Sequence, residues 1–258
     1  MSLHKIIRDG IDRIYASDFE NQQRYIDFIC NKVRHMDASV VYDADAFFVP
    51  NKDYLIHYLG GSALDYEYGL YDQEQNCFWQ ENLVFPIKDV ADTIVGLAGF
   101  NPRKYVETHE THDWSLNYYS YSRKDVFHKG YYLYMMTGTY EQAIRDGYLL
   151  LVDGLFDCLS LSAEGYNAAA LLGSSPTEQI IAQLRFIKKV IILSDNDDAG
   201  IKLEHALQRQ LHNVVYFHQG KAKDVDELLK TDSAVKYKKQ LDQMIQENIL
   251  LNKCISFS

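Results

Sequence analysis

Four short apolar runs alternate with longer amphipathic stretches in the second half of the chain. The runs cover residues 149–152, 168–172, 190–193 and 214–217, and each is too short for a typical helix. Continuous apolar runs of this length are typical of strands that are buried on both faces of a parallel sheet. Between the runs, apolar residues recur at helical spacing. The pattern predicts an α/β domain with a mostly parallel four-stranded sheet flanked by helices.

The first half of the chain and the C-terminus follow other patterns. Residues 1–49 carry apolar positions at helical spacing, among them Tyr25, Ile26, Ile29 and Val33. We predict an N-terminal helical segment at 1–49, an α+β subdomain at 50–146, the α/β domain at 147–230, and a C-terminal helix with an apolar tail at 231–258. That last helix is expected to end at about Gln246.

One helix start in the α/β domain is marked strongly by the sequence. Ser175-Pro-Thr-Glu178 combines a serine N-cap, a proline at the first helical position and a glutamate that closes a capping box. We therefore predict a helix that is capped by Ser175.

Acidic residues come soon after three of the predicted strands. Asp153 follows the first strand, Asp195 and Asp197 follow the third, and Asp224 and Asp226 follow the fourth. Because ligands bind beyond the carboxyl ends of the strands in such sheets, we expect these carboxylates to converge. Carboxylates and phosphate oxygens are the ligands that Mg²⁺ prefers. Taken alone, the motif after the third strand is equally consistent with an acidic turn that caps the next helix.

Composition limits the class of protein. The chain has 258 residues, of which 47% are hydrophobic, and no apolar run approaches the length of a membrane helix. The first residues are charged rather than typical of a signal peptide, so we expect a cytoplasmic protein. Four scattered cysteines predict neither a zinc module nor a disulfide framework. A net charge of −10 argues against a strongly basic nucleic-acid binder, but allows a local basic groove beside an acidic metal centre.

Four segments of the α/β domain together resemble a Toprim domain, which DnaG-type primases, topoisomerases and some nucleases share. They are Val152-Asp-Gly-Leu-Phe-Asp157, Leu172-Gly-Ser-Ser175, Ser194-Asp-Asn-Asp-Asp-Ala-Gly200 and Lys223-Asp-Val-Asp226. Their order and spacing are similar to those of the primase branch.

Segments upstream strengthen the resemblance to the DnaG-type primase core. Phe85-Pro-Ile-Lys-Asp89 with Ile94-Val-Gly96 resembles the strand pair that opens that core. Lys104-Tyr105 with Glu107-Thr-His-Glu-Thr111 resembles the family's Lys-Tyr-Leu-Asn-Ser-Pro-Glu-Thr segment. Val126-Phe-His-Lys-Gly130 with Leu133-Tyr134 resembles its Phe-x-Lys-Gly-x-x-Leu-Tyr segment.

The resemblance implies synthesis of short RNA primers on single-stranded DNA from ribonucleoside triphosphates by metal-dependent nucleotidyl transfer. It implies Mg²⁺ or Mn²⁺ as cofactor and Asp153, Asp195 and Asp197 as catalytic residues. The metal ligands would be these three residues with Asp224 and Asp226, and Asp157 would orient the site from behind them. Asp153 stands where the family has Glu, which is one methylene longer.

The resemblance also implies a template or nucleotide groove. Lys104 and Lys129 match basic positions of the family that face it, and Arg103 and Arg123 lie in the same part of the chain. Aromatic residues interleaved with basic ones suit single-stranded nucleic acid, because bases stack on aromatic rings. The interleaved aromatics are Trp114, Tyr118, Tyr119 and Tyr121, although a chain with 20 tyrosines has such clusters by composition alone.

Neither the family's zinc-binding module nor most of its C-terminal region has a counterpart in this sequence. We therefore expect a minimal core that works with a replicative helicase and a separate zinc-module subunit, as in a compact phage or mobile-element system. Two alternatives stay open. Asp153 in place of Glu would fit a non-catalytic Toprim subunit that needs partners, and a Toprim nuclease would use similar metal chemistry with water as nucleophile.

Overall fold

The computed structural model describes residues 2–61, 66–71, 74, 77–172, 175–193, 198–217 and 225–255, without the side chains of 66, 198, 199 and 250–255. The chain divides into two compact units, residues 1–129 and 130–258. In the described ranges, no helix combines the length and the apolar character that crossing a bilayer requires.

The first unit is a four-stranded antiparallel sheet with helices. Its strands, in the spatial order β1-β2-β3-β4, are β1 Phe47–Val49, β2 Asn82–Lys88, β3 Ile94–Phe100 and β4 Tyr119–Tyr121. Its helices are α1 Leu3–Ser17, α2 Phe19–Phe28, a π-helix at Ile29–Arg34, α3 Ala38–Asp43, α4 Lys52–Leu59, a 3₁₀ turn at Tyr66–Tyr68, and α5 Pro102–Thr111. The strand pair expected at Phe85–Asp89 and Ile94–Gly96 is therefore present as β2 and β3.

The N-terminal segment is helical through Asp43, but residues 47–49 form strand β1 instead of continuing the helical pattern. Three residues are too few to show a strand period, and β1 exists because Phe47, Phe48 and Val49 pair with Val84, Leu83 and Asn82 of β2.

Helix α1 supplies much of this unit's core. Ser2 caps it by accepting a hydrogen bond from the Lys5 amide. A Cβ at Gly10 would collide with the Leu59 side chain, so glycine lets α1 and α4 approach closely. The buried isoleucines of α1 are Ile6, Ile7, Ile11 and Ile14, which join the core cluster of β1, β2, β3 and α4.

A three-residue charge cluster links α1 to β2. The Arg8 guanidinium donates to both Asp45 carboxylate oxygens at 2.9 and 2.8 Å, and Lys88 Nζ lies 2.7 Å from Asp45 Oδ2. Lys88 is buried, with 4% of its surface exposed. Burial raises the pKa of the Asp45 carboxyl, but hydrogen bonds from Arg8 and Lys88 outweigh it, so the pKa lies below its ordinary value. The ionised carboxylate therefore stabilises this unit.

We expect Asp45→Asn to lower the free energy of unfolding by about 3 kcal/mol at neutral pH, because Lys88 loses a charge partner inside the protein. Asn tolerates the left-handed backbone at position 45, where φ is 58°. Since the folded pKa of Asp45 is lowered, its contribution is present above the ordinary aspartate pKa and is lost as pH falls below about 4. Urea unfolding at several pH values measures this difference.

Asp9→Asn is the matched control, because Asp9 forms a solvent-accessible ion pair with Lys5 and such pairs contribute little. Equal losses in both variants, or a loss from Asp45→Asn that persists at pH 2, would contradict the assigned role of the cluster.

The second unit is a five-stranded sheet with helices. Its strands, in the spatial order β5-β7-β6-β8-β9, are β5 Tyr134–Met135, β6 Leu149–Val152, β7 Ala168–Ala170, β8 Val190–Ile192 and β9 Val214–Tyr216. Its helices are α6 Thr139–Asp146, α7 Leu155–Ala163, α8 Glu178–Leu184, α9 Asp198–Gln208, α10 Val225–Leu229 and α11 Ala234–Ile255, and a 3₁₀ turn at Lys129–Tyr131 precedes β5. The four predicted strands pair in parallel, and β5 adds an antiparallel edge. The predicted fold class is confirmed.

Two helix ends differ from the sequence expectation. Helix α8 is capped by Thr177 and not by Ser175, because the Thr177 hydroxyl accepts from the Ile180 amide at 3.4 Å while it donates to the Gly130 carbonyl at 2.6 Å. Helix α11 continues to Ile255 instead of ending at about Gln246, since neither glycine nor proline interrupts the chain there.

Candidate functional site

Strand register places the described part of the predicted acidic site at the edge of the second unit's sheet where the parallel strands have their carboxyl ends. Val152 pairs with Ala170, and the Leu193 amide donates to the Leu151 carbonyl at 2.9 Å. Asp153, which is half-buried, follows β6 at this edge, and the chain after β8 leaves from the same edge. Asp195, Asp197 and Asp224 lie outside the described residues, so their place in the site stays a prediction.

A strained backbone position marks the same edge. Leu172, which follows β7, has φ of 55°, in the left-handed region that an apolar side chain rarely adopts. Such strain costs on the order of 1 kcal/mol or more and is concentrated at functional sites. Sequence reasoning missed this feature, because leucine gives no local signal for a left-handed turn.

Asp157 holds the start of one helix against another. Its Oδ1 accepts a hydrogen bond from the Asp226 amide at 2.9 Å, which joins α7 to α10. A Cβ at Gly154 would lie 2.5 Å from Asp157 Oδ2, so glycine leaves room for this carboxylate at the start of α7. This contact is consistent with the supporting role that we expected for Asp157.

The Asp226 carboxylate makes structural contacts that the sequence did not indicate. It is 5% exposed, and its two oxygens accept from Ser160 Oγ at 2.5 Å and from Lys230 Nζ at 2.6 Å. A metal ion at Asp226 would compete with the Lys230 ammonium for the same oxygen. These contacts favour a positioning role for Asp226, which keeps α10 beside α7, over direct ligation.

The predicted ligand set suits a hard divalent cation because every donor in it is a carboxylate oxygen. Among the residues that the structure describes, no three His, Cys, Asp or Glu side chains are grouped closely enough to hold an ion. The nearby thiol of Cys158 is unsuited, because complete burial raises its pKa to about 12 and keeps it neutral.

We expect Asp226→Asn to lower the free energy of unfolding by roughly 1–3 kcal/mol, because the Lys230 ammonium loses a buried charge partner. Asp232→Asn, at an exposed position nearby, should have little effect. Urea unfolding checks stability, and Mn²⁺ titration followed by electron paramagnetic resonance checks metal affinity. Abolished Mn²⁺ binding with unchanged stability would instead make Asp226 a metal ligand.

The basic residues predicted for the groove all lie in the first unit, but their surroundings differ. Arg103 and Lys104 are exposed in the first turn of α5, where Asn101 caps the helix by accepting from the Lys104 amide. Arg123 is engaged by the Asp125 carboxylate at 2.6 Å and by the Tyr71 carbonyl at 2.9 Å. Arg103 and Lys104 are therefore more available to an external anion than Arg123.

Lys129 lies against an aromatic ring. Its Nζ is 4.5 Å from the centroid of Tyr121, a cation–π contact. Burial, and then repulsion from Lys124, lower the pKa of Lys129. Burial raises the pKa of Tyr121 to about 12, so its ring stays uncharged beneath the ammonium. Tyr121 thus supports Lys129.

The other interleaved aromatics belong to one chain of ring contacts that extends from the end of β3 through α5 and the segment after it to the start of β4. Its members are Phe100, Tyr105, His109, Trp114, Tyr118 and Tyr119, with centroid distances between 4.1 and 6.2 Å. Trp114 ends the chain with 61% of its surface exposed. The sequence indicated Trp114, Tyr118 and Tyr119, but it gave no reason to include His109 or Tyr105, which join through the helical spacing of α5.

Comparison with known proteins shows which proteins this chain resembles. Residues 150–229 match the Toprim-like family. A DNA primase from Aquifex aeolicus is 30% identical over 219 residues, which cover 78% of this chain and 42% of that protein. The DNA primase of Escherichia coli K12 is 32% identical over 128 residues, which cover 47% of this chain and 20% of that protein. The chain thus spans less than half the length of these curated relatives.

Solved structures agree with the sequence comparison. The zinc-binding and RNA polymerase domains of the Aquifex aeolicus primase match with a TM-score of 0.71 and 25% identity, over 96% of this chain and 62% of that chain. The E. coli primase catalytic core matches with a TM-score of 0.70 and 21% identity, over 98% of this chain and 85% of that chain. The resemblance to DnaG-type primase catalytic cores is confirmed, and the chain carries a Toprim-like domain at residues 150–229.

Proposed function

We propose that this chain is a primase catalytic core that synthesises short RNA primers on single-stranded DNA. The observation that supports this most is the match over 96% of the chain to a primase structure that includes RNA polymerase domains. The acids after β6 and β8, and before α10, follow the order of the Toprim primases. The reaction is nucleotidyl transfer from a ribonucleoside triphosphate to a primer 3′-hydroxyl.

The carboxylates of Asp153, Asp195, Asp197 and Asp224 would hold Mg²⁺ or Mn²⁺. When bound, the cation neutralises phosphate charge and favours ionisation of the attacking hydroxyl. Asp153 would orient the reacting groups from the end of β6, in the position where the family has Glu. Asp157 and Asp226 would hold α7 and α10 together behind it, since the Asp157 carboxylate accepts from the Asp226 backbone amide and the Asp226 carboxylate accepts from the Ser160 hydroxyl.

The template would be held in the first unit. Arg103, Lys104 and Lys129 would attract the phosphate backbone, and Trp114 would offer a ring to an unpaired base. A structure titled as a DnaG primase catalytic domain bound to single-stranded DNA matches this chain with a TM-score of 0.67. The net charge of −10 predicts weak DNA affinity for the chain alone, so a helicase and a zinc-module subunit would supply the rest, in a bacterial cytoplasm.

We expect purified protein to make short RNA products from labelled ribonucleotides on single-stranded DNA with Mg²⁺ or Mn²⁺. Asp195→Ala should lower product formation by at least about 100-fold, because it removes a predicted metal ligand. Denaturing gel electrophoresis measures the products, and Asp232→Ala is the control for loss of an exposed acid.

Each alternative function has its own outcome in this assay. Absence of product even with helicase and a zinc-module partner would indicate a non-catalytic replication subunit. Shortened template that depends on Asp195 would indicate a Toprim nuclease. Products that persist undiminished in Asp195→Ala would overturn the site assignment while leaving the primase proposal intact.

Asp153→Glu tests the departure from the family pattern. If Asp153 occupies the catalytic position but reaches the reacting groups imperfectly, the longer side chain should raise kcat several-fold, since short misplacements are costly in catalysis. Asp153→Asn should nearly abolish activity, because it removes the charge while keeping the size. Equal activity of the wild type, Glu and Asn forms would remove Asp153 from the site.

A further inference from the structure

A basic pocket opens on the second unit, at the edge of the sheet where the parallel strands have their amino ends. Its volume is about 480 Å³, within the range of sites that bind small ligands or a few side chains of a partner. Residues of the segments 185–189 and 210–213, which directly precede β8 and β9, line it. The predicted acidic site lies at the carboxyl ends of the same strands, so this pocket is a separate feature of the chain.

Three cationic side chains line this pocket. Arg185 and Lys188 are exposed, and Lys189 is half-buried. Neither aspartate nor glutamate is among the described residues of the lining. Within the part of the chain that the structure describes, none of the three cations makes a side-chain hydrogen bond or an ion pair. The pocket is therefore a local concentration of positive charge in a chain whose net charge is −10.

The ends of two helices account for only part of this charge. Helix α8 ends at Leu184 and α9 ends at Gln208, shortly before the two segments that line the pocket. A helix C-terminus carries a partial charge of about −0.5, which favours nearby cations. Two such ends offset roughly one positive charge, so three cations leave an excess of about two. That excess can attract an anionic partner.

Hydrogen bonds fix the pocket before any partner binds. The Asn213 side-chain amide donates to the Leu184 carbonyl at 3.0 Å and also to the Ile187 carbonyl, which ties the end of α8 to the segment before β9. The Lys189 backbone amide donates to the Gly147 carbonyl at 3.1 Å, which holds the segment before β8 against the chain that leads into β6. A preformed site lowers the entropy cost of binding.

The polar lining fits a peptide better than a phosphate polymer. Gln210 donates from Nε2 to the Ala206 carbonyl at 3.4 Å, and its Oε1 can accept a hydrogen bond from a partner. A phosphodiester has no donor to offer, whereas a peptide supplies backbone amides together with carboxylates. The guanidinium of Arg185 can bind a carboxylate through two parallel hydrogen bonds.

An exposed phenylalanine adjoins the cations in the chain. Phe186 lies between Arg185 and Lys188 in sequence and is 75% exposed, although burial of such a side chain stabilises by about 1.5–3 kcal/mol. An apolar residue of a peptide would cover it, whereas inorganic phosphate would leave it in water. None of the described lining residues is aromatic, so Phe186 is a single ring without the series of stacking platforms that single strands use.

We propose that this pocket docks a short acidic segment of a partner protein. Its carboxylates pair with Arg185, Lys188 and Lys189, and an apolar residue of the same segment packs on Phe186. The docking is a second activity of the chain, at the opposite edge of the sheet from nucleotidyl transfer, and it does not depend on primer synthesis.

The test is fluorescence anisotropy of a dye-labelled peptide, made of aspartate and glutamate with one leucine, titrated with the full chain at low salt. We expect a Kd of about 100 μM or tighter, which weakens as salt rises. Arg185→Glu with Lys188→Glu should weaken binding at least about tenfold, because two attractions become repulsions. Lys236→Glu with Lys239→Glu, at exposed positions of α11, makes the same change in net charge and should bind normally.

Phe186→Ala tests the apolar contact separately. It should weaken binding of the leucine peptide several-fold, and it should leave unchanged the binding of a peptide in which serine replaces the leucine. Equal affinity of both peptides for the wild type would remove Phe186 from the docking surface and overturn the apolar half of the proposal.

Competition separates a peptide from other anions. A single-stranded oligonucleotide and inorganic tripolyphosphate, each at the same total charge, should displace the peptide at least about tenfold less well. Equal displacement by the oligonucleotide would make this a nucleic-acid surface, and equal displacement by tripolyphosphate would make it an unselective anion site; either result would overturn the proposal. It would also fail if the wild type bound no peptide, or if the Arg185 and Lys188 pair and its control bound equally well.

Discussion

Parallel pairing of β6 with both β7 and β8 is the constraint on which the second unit depends. Strands buried on both faces must be apolar throughout, and β6, β7 and β8 are. Polar groups are therefore excluded from the strands and first become possible where the strands end. Because the three strands run in the same direction, Asp153, the strained turn at Leu172 and the chain that leads to Asp195 leave the sheet at one edge. The pairing register of β6 with β7 and β8 therefore determines both how the sheet packs and where its acidic residues lie.

Local pattern was enough to predict the four parallel strands of this unit, because each apolar run forms its own strand. It failed where a neighbour decides the outcome. Strand β5 has two residues and exists only through pairing with β7. The cap of α8 moved from Ser175 to Thr177 because the Thr177 hydroxyl also reaches the Gly130 carbonyl, a contact distant in sequence. Strand β1 depends in the same way on β2.

The candidate sites, too, could be predicted only where the local sequence determines them. Acidic residues that follow strands can be read from the sequence, but their side-chain partners cannot. The resemblance implied a metal-ligand role for Asp226 as well as for Asp153, and a groove position for Arg123 as well as for Arg103. The structure shows Asp226 engaged with Lys230 and Arg123 engaged with Asp125. A pocket of the first unit could not be predicted, because its lining residues, among them Arg24, Phe28, Phe48, Glu81 and Arg103, have no common period and meet only after folding.

The two tryptophans of the first unit lie at opposite extremes of exposure. Trp79 has no exposed surface and donates through its indole nitrogen to the Leu70 carbonyl at 2.7 Å, whereas Trp114 is 61% exposed. An aqueous quencher such as iodide would reach one indole and not the other. The unmodified chain therefore carries two separable optical signals: a blue-shifted emission that reports the integrity of the core, and a red-shifted emission that reports events at the surface just after α5. Folding and surface binding could be followed in one sample without any attached dye.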